Sequence, residues 1–296
     1  MDSHIPVLLN QVLELLAPAP GKVFIDCTLG VGGHTEAIAK ALNGTGSVYG
    51  IEVDERNLAL AQERLKGYSN VHFIRDNFEN LGTIADDILT HEKHIDGILF
   101  DLGLSSLHTD NPERGFSFQS DGPLDMRFDT RSTMTAADIL NTYSLEDLLF
   151  IFQTYGEEKF AYRIAYAIVE HRRNEPFTRT AQLVDLVSSC VPRSKQFFTR
   201  NPATRIFQSL RIATNREIEV LGLGIAAAIE KISSGGRIAV ISYHSLEDRI
   251  IKNVFRDGKK EGTLNVITKR PIVPEESEIE LNRRSRSAKL RVAEKI

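Results

Sequence analysis

The sequence predicts an α/β fold, a doubly wound, mostly parallel sheet interrupted after its fourth strand by an all-helical insertion. Three observations carry this. Through the first hundred residues, short apolar runs alternate with helical patterns in a βαβαβαβ order, which requires a parallel sheet covered by helices. Between Ser106 and Thr214 no strand pattern occurs, only helical ones. Helix–strand alternation then returns and runs toward the end of the chain.

Lys22–Cys27 (KVFIDC) reads as the first strand and Thr35–Leu42 as its helix. Ser47–Val53 is the second strand, and Glu55–Lys66 a helix with Leu58, Ala61 and Leu65 at helical spacing. Val71–Ile74 is a third strand, followed by a helix around Leu81–Thr90. Ile95–Asp101 is nearly continuous in apolar residues, as a strand buried on both faces should be. Gly103 to Phe128, rich in Ser, Asp, Gly and Pro, reads as a long ordered loop, the kind that is usually functional. Helices are predicted at Thr135–Asn141, Leu145–Gln153, Glu157–Arg172, Thr180–Cys190 and Arg205–Thr214. Then come a helix at Glu217–Ile232, a Gly235-Gly236 stop and a strand at Arg237–Ser242. A helix at Leu246–Phe255 and two short β-like runs, Leu264–Thr268 and Ala288–Val292, complete the pattern. Residues 1–105 and 215–296 are thus expected to form one domain, with 106–214 inserted into it.

The 296 residues suffice for two domains at about 150 residues each, with ample core. The N-terminus lacks the basic segment of a signal peptide, and no apolar run approaches the roughly 20 residues of a membrane span. Cys27 and Cys190 form neither a disulfide framework nor a zinc spacing, so a reducing cytoplasm is the expected location. The net charge of -4 does not advertise nucleic-acid binding, but its distribution is uneven. From His171 to Arg211 stand eight Lys/Arg against two acids, and from Arg256 to Ile296 eleven against seven. Such stretches can hold a polyanion, although solvated helix faces look the same in sequence.

After the first strand comes Asp26-Cys27-Thr28-Leu29-Gly30-Val31-Gly32-Gly33-His34. Glycines in a strand-to-helix turn let a ligand approach the backbone closely. The spacing is G-x-G-G rather than the G-x-G-x-x-G of dinucleotide sites, and an Asp precedes the turn by four residues. That pattern better fits S-adenosylmethionine, which has no phosphate and carries a cationic methionine moiety that favours a nearby carboxylate. Glu52 and Asp54, closing the second strand, are placed to accept the ribose hydroxyls of an adenosine cofactor. Asp76-Asn77-Phe78 offers a polar–aromatic group suited to adenine, with core packing the simpler role for Phe78.

The fourth strand ends at Asp101, where cofactor and acceptor would meet in an open α/β sheet. Ser105 follows in Asp101-Leu102-Gly103-Leu104-Ser105-Ser106. The fifth strand delivers His244 to the same edge, and Ser245 with Asp248 reads as a variant capping box. His244 is open to either a site role or a structural one. No zinc-protease, P-loop, nucleophile-elbow or cysteine-cluster motif occurs, so the chemistry is expected to need no metal.

Taken in order, several stretches resemble the bacterial ribosomal RNA small subunit methyltransferase H family, also called MraW. They are Gly32-Gly33-His34-Thr35, Asp101 through Ser106, Arg114-Gly115-Phe116-Ser117-Phe118, and Asp121-Gly122-Pro123-Leu124-Asp125-Met126-Arg127. Thr154 through Glu158, Pro202-Ala203-Thr204-Arg205, His244 through Arg249, and Arg286-Ser287 with Leu290-Arg291 extend the match along nearly the whole chain. The resemblance implies a class I (Rossmann-like) methyltransferase sheet with the helical insertion recognising substrate. It also implies methyl transfer from S-adenosylmethionine to N4 of a cytidine in the decoding region of 16S ribosomal RNA, within the small ribosomal subunit.

The family's cofactor positions fall on Gly32, Gly33, His34, Glu52, Phe78 and Asp101, joined by Gly30 from the turn. Glu52 stands where the family has Asp, and His108 where it usually has Gln. Asn201 replaces a commoner His. For catalysis Asp101, or a backbone carbonyl near Leu102, is the candidate acceptor for an N4 proton, with Ser105 and His244 behind it. Two other readings stay open: an RNA-binding assembly factor with little transferase activity, and, less well matched by the glycines, an NAD-dependent oxidoreductase. Monomer and homodimer are equally open.

Overall fold

The computed structural model describes residues 5–192 and 201–296. These divide into two compact units, residues 1–103 with 218–296, and residues 104–217. Among the described residues no helix is long and apolar enough to cross a membrane.

The first unit is built on one sheet of β1 (Val23–Asp26), β2 (Ser47–Ile51), β3 (Val71–Ile74), β4 (Gly97–Asp101), β5 (Arg237–Ser242), β6 (Leu264–Val266) and β7 (Lys289–Lys295). The strand order is β3-β2-β1-β4-β5-β7-β6. Strands β1 to β5 run parallel, whereas β7 is antiparallel to both β5 and β6. The winding reverses between β1 and β4, which makes their carboxyl ends the switch point where such sheets bind ligands. Two apolar layers sandwich the sheet. One gathers Ile25, Ile98, Phe100, Ile225 and Phe255, the other Phe24, Leu58, Leu65, Leu99 and Ile241. The alternation of Phe24 and Ile25, or Leu99 and Phe100, between the layers is the strand period of two.

The connecting helices are α1 (Leu9–Leu16), α2 (Gly33–Ala41), α3 (Glu55–Leu65) and α4 (Leu81–Ile88). The second unit holds α5 (Ser106–Asp110), α6 (Ala136–Thr142), α7 (Leu145–Thr154), α8 (Ala161–His171), α9 (Thr180–Cys190) and α10 (Thr204–Thr214). Next come α11 (Glu217–Lys231), α12 (Ser245–Lys260) and the short α13 (Glu276–Leu281). Ile139, Leu148, Phe152, Ile164, Phe177, Leu183 and Ile206 meet in the core of the helical unit. Its sole described β feature is a bridge between Pro123 and Arg179.

Several departures from the sequence reading have local causes. Helix α1 escaped it because neither end carries a usual signal: Leu8 (φ 53) and Ala17 (φ 48) take the left-handed conformation normally left to Gly or Asn. Helix α8 begins four residues later than its apolar pattern, since Glu157 has φ 47 and Glu158 accepts from the Phe160 N–H. Helix α12 runs on to Lys260 through Gly258, whose missing Cβ makes room for Leu264. The stretch read as a loop from Gly103 to Phe128 contains α5 and a 3-10 turn at Pro112–Arg114.

Candidate active site

The site is assembled at the carboxyl ends of β1, β2, β4 and β5. Asp26 closes β1 and is fully buried; its Oδ1 accepts from the Thr28 N–H (3.1 Å) and its Oδ2 from the Thr35 hydroxyl (2.7 Å). One carboxylate therefore clips together the two flanks of the glycine turn. Burial pushes its pKa up, opposed by Thr35 and then by His34. Both oxygens serve the turn, so the free carboxylate that the sequence placed ahead of the glycines is an internal fastener.

The three glycines answer three different needs. Gly30 (φ 54) donates its N–H to Glu52 Oε2 at 2.8 Å, and only the Thr28 carbonyl oxygen, at 3.8 Å, lies near its missing Cβ, so that face is open. Gly32 (φ 83) stands ahead of α2, and a Cβ there would lie 2.7 Å from Leu65. Gly33 begins the helix where a Cβ would strike Pro6 at 2.6 Å. A left-handed backbone and two close approaches together exclude other residues here.

Glu52 is 8% exposed and each oxygen accepts a backbone N–H, from Gly30 and, at 2.7 Å, from Asp54. Burial nevertheless pushes its carboxyl up to about 8. Asp54, the other acid at this strand end, is used locally as the N-cap of α3, accepting from Arg56. Phe78 packs edge-on against Phe100 (5.5 Å, 84°), and its ring occupies the space a Cβ on Gly224 would need. It remains half-buried.

Asp101 is the centre of the arrangement. Its N–H donates to the Thr28 hydroxyl at 2.6 Å, its Oδ1 accepts from the Tyr243 hydroxyl at 2.7 Å, and its Oδ2 lies 3.5 Å from His34 Nε2. His34 is 5% exposed, and neither ring nitrogen makes a hydrogen bond with a described residue. These two buried ring nitrogens, one of them beside a carboxylate, are available to hold a polar ligand. Burial, then the Asp101 charge, raises the Tyr243 phenol well above its ordinary value, so it stays a donor. Gly103 (φ 130) lets Tyr243 in: a Cβ there would sit 2.9 Å from the ring.

Tyr243 and Thr28 were not singled out from sequence. Nothing local marks them; the signal lies in the register, which aligns Asp101 with Ile241 and so brings Tyr243 next to the β4 end. His244, which was singled out, is the N-cap of α12. Its N–H donates to Glu247 Oε2 (3.2 Å), its Nδ1 accepts from the Glu247 N–H (3.4 Å), and its Nε2 lies 3.0 Å from Glu247 Oε1. The capping box thus falls on His244 and Glu247, one residue before the Ser245–Asp248 pair read from sequence. Asp248 instead pairs with Arg291 (2.7 Å), which lowers its pKa against the raising effect of burial.

Ser105 and His108 belong to the helical unit. Ser105 is the N-cap of α5, and its N–H donates to His108 Nδ1 at 3.3 Å. The buried His108 ring packs between Phe116 (4.9 Å) and Phe128 (5.1 Å). The basic stretch of that unit is largely engaged. Arg172 donates to the Leu140 carbonyl and Arg205 to that of Glu157, while Arg173, Arg179 and Arg211 pair with Glu170, Asp121 and Glu217. Arg193, Lys195 and Arg200 lie outside the described residues.

Comparison with known proteins adds the following. Residues 1–296 match the model of the MraW methylase family. A ribosomal RNA small subunit methyltransferase H of Caldicellulosiruptor saccharolyticus is 45% identical over 314 residues, spanning 100% of both chains. Its namesake in Halothermothrix orenii is 44% identical over 311 residues, covering 100% of this chain and 99% of that one. A solved rRNA methylase from Streptococcus thermophilus superposes with a TM-score of 0.45 at 15% identity, over 97% of this chain and 93% of the other.

Proposed function

This chain belongs to the MraW methylase family, and from that premise we propose that it methylates N4 of one cytidine in the decoding region of 16S ribosomal RNA. The observation that carries the reading is the grouping of an open glycine turn, a buried acid after β2 and the Asp101–Tyr243–His34 cluster at the sheet's switch point.

The residues suit S-adenosylmethionine, the family's methyl donor. Glu52 would accept the ribose hydroxyls through lone pairs its two backbone donors leave over. Gly30 would let the methionine portion lie against the backbone, and His34 has two nitrogens to offer. Phe78 would bound the adenine. His108 would take the place of the family Gln. Bound there, the sulfonium supplies an activated methyl group.

The protein's own task is the nucleophile. The N4 lone pair of cytosine is delocalised into the ring, so an acceptor that draws on one N4–H localises it. Asp101 would fill that role and hold the proton the amine sheds. Tyr243 fixes the carboxylate by occupying Oδ1, and Thr28 fixes its backbone. The carbonyl of Leu102, Ser105 and His244 stand behind Asp101 as candidates, although His244 already serves as a helix cap. A paired cytidine would have to leave its stack to reach these groups. Residues 106–214 would recognise the RNA, and the work would be done in the cytoplasm on the small subunit.

The test is methyl transfer from labelled S-adenosylmethionine to small subunits that lack native modification, followed by nucleoside mass analysis. N4-methylcytidine at one position is expected. A different methylated nucleoside would overturn the target. Binding to subunits without transfer would point to an assembly factor.

A further inference from the structure

Helix α8 buries Ala161, Ile164, Ala165 and Ile168 in the core of the helical unit, which is enough to seat it. Its outer face carries two large aromatics, Tyr162 and Tyr166, that are 60% and 51% exposed. Positions four apart stack one above the other on a helix. Their rings lie nearly parallel, 6.4 Å between centroids at 19°. Neither hydroxyl makes a hydrogen bond with a described residue. Lys159, in the turn before the helix, and Arg163, beside Tyr162, are also exposed. In contrast to the described cations between 171 and 211, which are held by carboxylates or backbone carbonyls, neither side chain makes an ion pair or hydrogen bond with a described residue.

We propose that this face of α8 is a stacking platform for single-stranded RNA, with Tyr162 and Tyr166 taking successive bases and Lys159 and Arg163 the adjoining phosphates. Interleaved aromatics and unpaired cations are what unpaired nucleic acid needs. Every base offers a π face, and the backbone offers one negative charge per nucleotide. Double-stranded RNA would not use the rings, because its bases are already stacked on one another. A protein partner would be expected to prefer a wider apolar patch, whereas Lys159 and Arg163 put positive charge beside these two rings. The platform rests on the RNA-directed reading above and extends it. It identifies where single-stranded segments flanking the target would be held, away from the reacting atoms.

The experiment measures binding of the full chain to a single-stranded RNA oligonucleotide of mixed sequence and to the same strand annealed to its complement. Methyl transfer to unmodified small subunits is followed in parallel. Tyr162→Ala and Tyr166→Ala should each weaken single-strand binding roughly tenfold, with the duplex unaffected. The Phe variants should stay within about twofold, since they keep the π face. Lys159→Ala with Arg163→Ala should flatten the salt dependence by a slope of about 1.4, roughly 0.7 per cation on a single strand. Unchanged melting and unchanged S-adenosylmethionine affinity would show that the fold is intact.

Wild-type binding that the Ala variants leave untouched would overturn the platform even if transfer proceeds normally. Ring-dependent binding without any transfer would keep the platform and remove the methylation reading. Concentration-dependent self-association that the Ala variants abolish, without an effect on RNA, would assign the face to a second copy and also overturn the proposal.

Discussion

Replacing Glu52 by Gln gives a pH-dependent change in stability whose sign follows from burial. In the folded chain this carboxyl is pushed up to about 8, against an ordinary value of 4.5. The folded state therefore holds the proton more tightly than the unfolded one. Its contribution is fully present below pH 4.5 and drains away as the pH climbs through 8. The slope approaches about 1.4 kcal/mol per pH unit inside that window, and the whole effect about 5 kcal/mol as an upper bound. Gln cannot titrate, so the variant lacks this slope. It does carry a fixed cost, because an NH2 group must face the N–H of Gly30 or Asp54 where an oxygen stood, roughly 1–3 kcal/mol. The variant should be the weaker protein at pH 5 and lose that disadvantage, or reverse it, by pH 8.5. Hydrogen exchange at amides of β1 and β2, measured in urea across this range, reads the sheet unit alone. A difference between wild type and variant that stays level from pH 5 to 8.5 would refute the buried, proton-holding Glu52.

Asp101→Ala should reduce transfer to below about 1% while leaving the circular dichroism spectrum and melting point close to wild type; near-normal turnover would remove Asp101 from the mechanism. Tyr243→Phe deletes one hydrogen bond of 2.7 Å to that carboxylate and should lower kcat about tenfold, since about 1.4 kcal/mol is one decade. An unchanged kcat would show that Asp101 needs no such support. Gly32→Ala meets both a positive φ and Leu65 at 2.7 Å, so it should cost about 1–3 kcal/mol. Gly67→Ala, with nothing within 4 Å, serves as the matched control in the same thermal melts.

Much of the fold is legible because its signals are local. Strands such as Val71–Ile74 and Arg237–Ser242 emerge with the bounds read from sequence, since buried parallel strands declare themselves as short apolar runs. Helix α9 is equally plain from its spacing. What is not local stays hidden. The antiparallel insertion of β7 between β5 and β6 cannot be seen in the composition of either strand. Helix α1 hides because two non-glycine residues adopt left-handed caps at its ends. At the site, Asp101, His34 and Glu52 were identifiable by position after a strand, whereas Tyr243 acquires its importance only from the register of β5 against β4. His244 was legible as a histidine at a strand end, but its helix-capping role was not, because that depends on Glu247 N–H reaching its Nδ1.

The place of β7 in the sheet also sets an order of events during synthesis. Strands β1 to β4 and then the contiguous helical unit leave the ribosome first, and the helical unit needs nothing that comes later for its core. Among the described residues strand β6 has no sheet neighbour other than β7, so it waits unpaired until residues 289–295 have been made. Asp101, too, lacks its tyrosine until the chain is 142 residues longer. A nascent chain halted before β7 would carry a folded helical module and, in its other unit, an open sheet edge at β5, a form suited to chaperone capture.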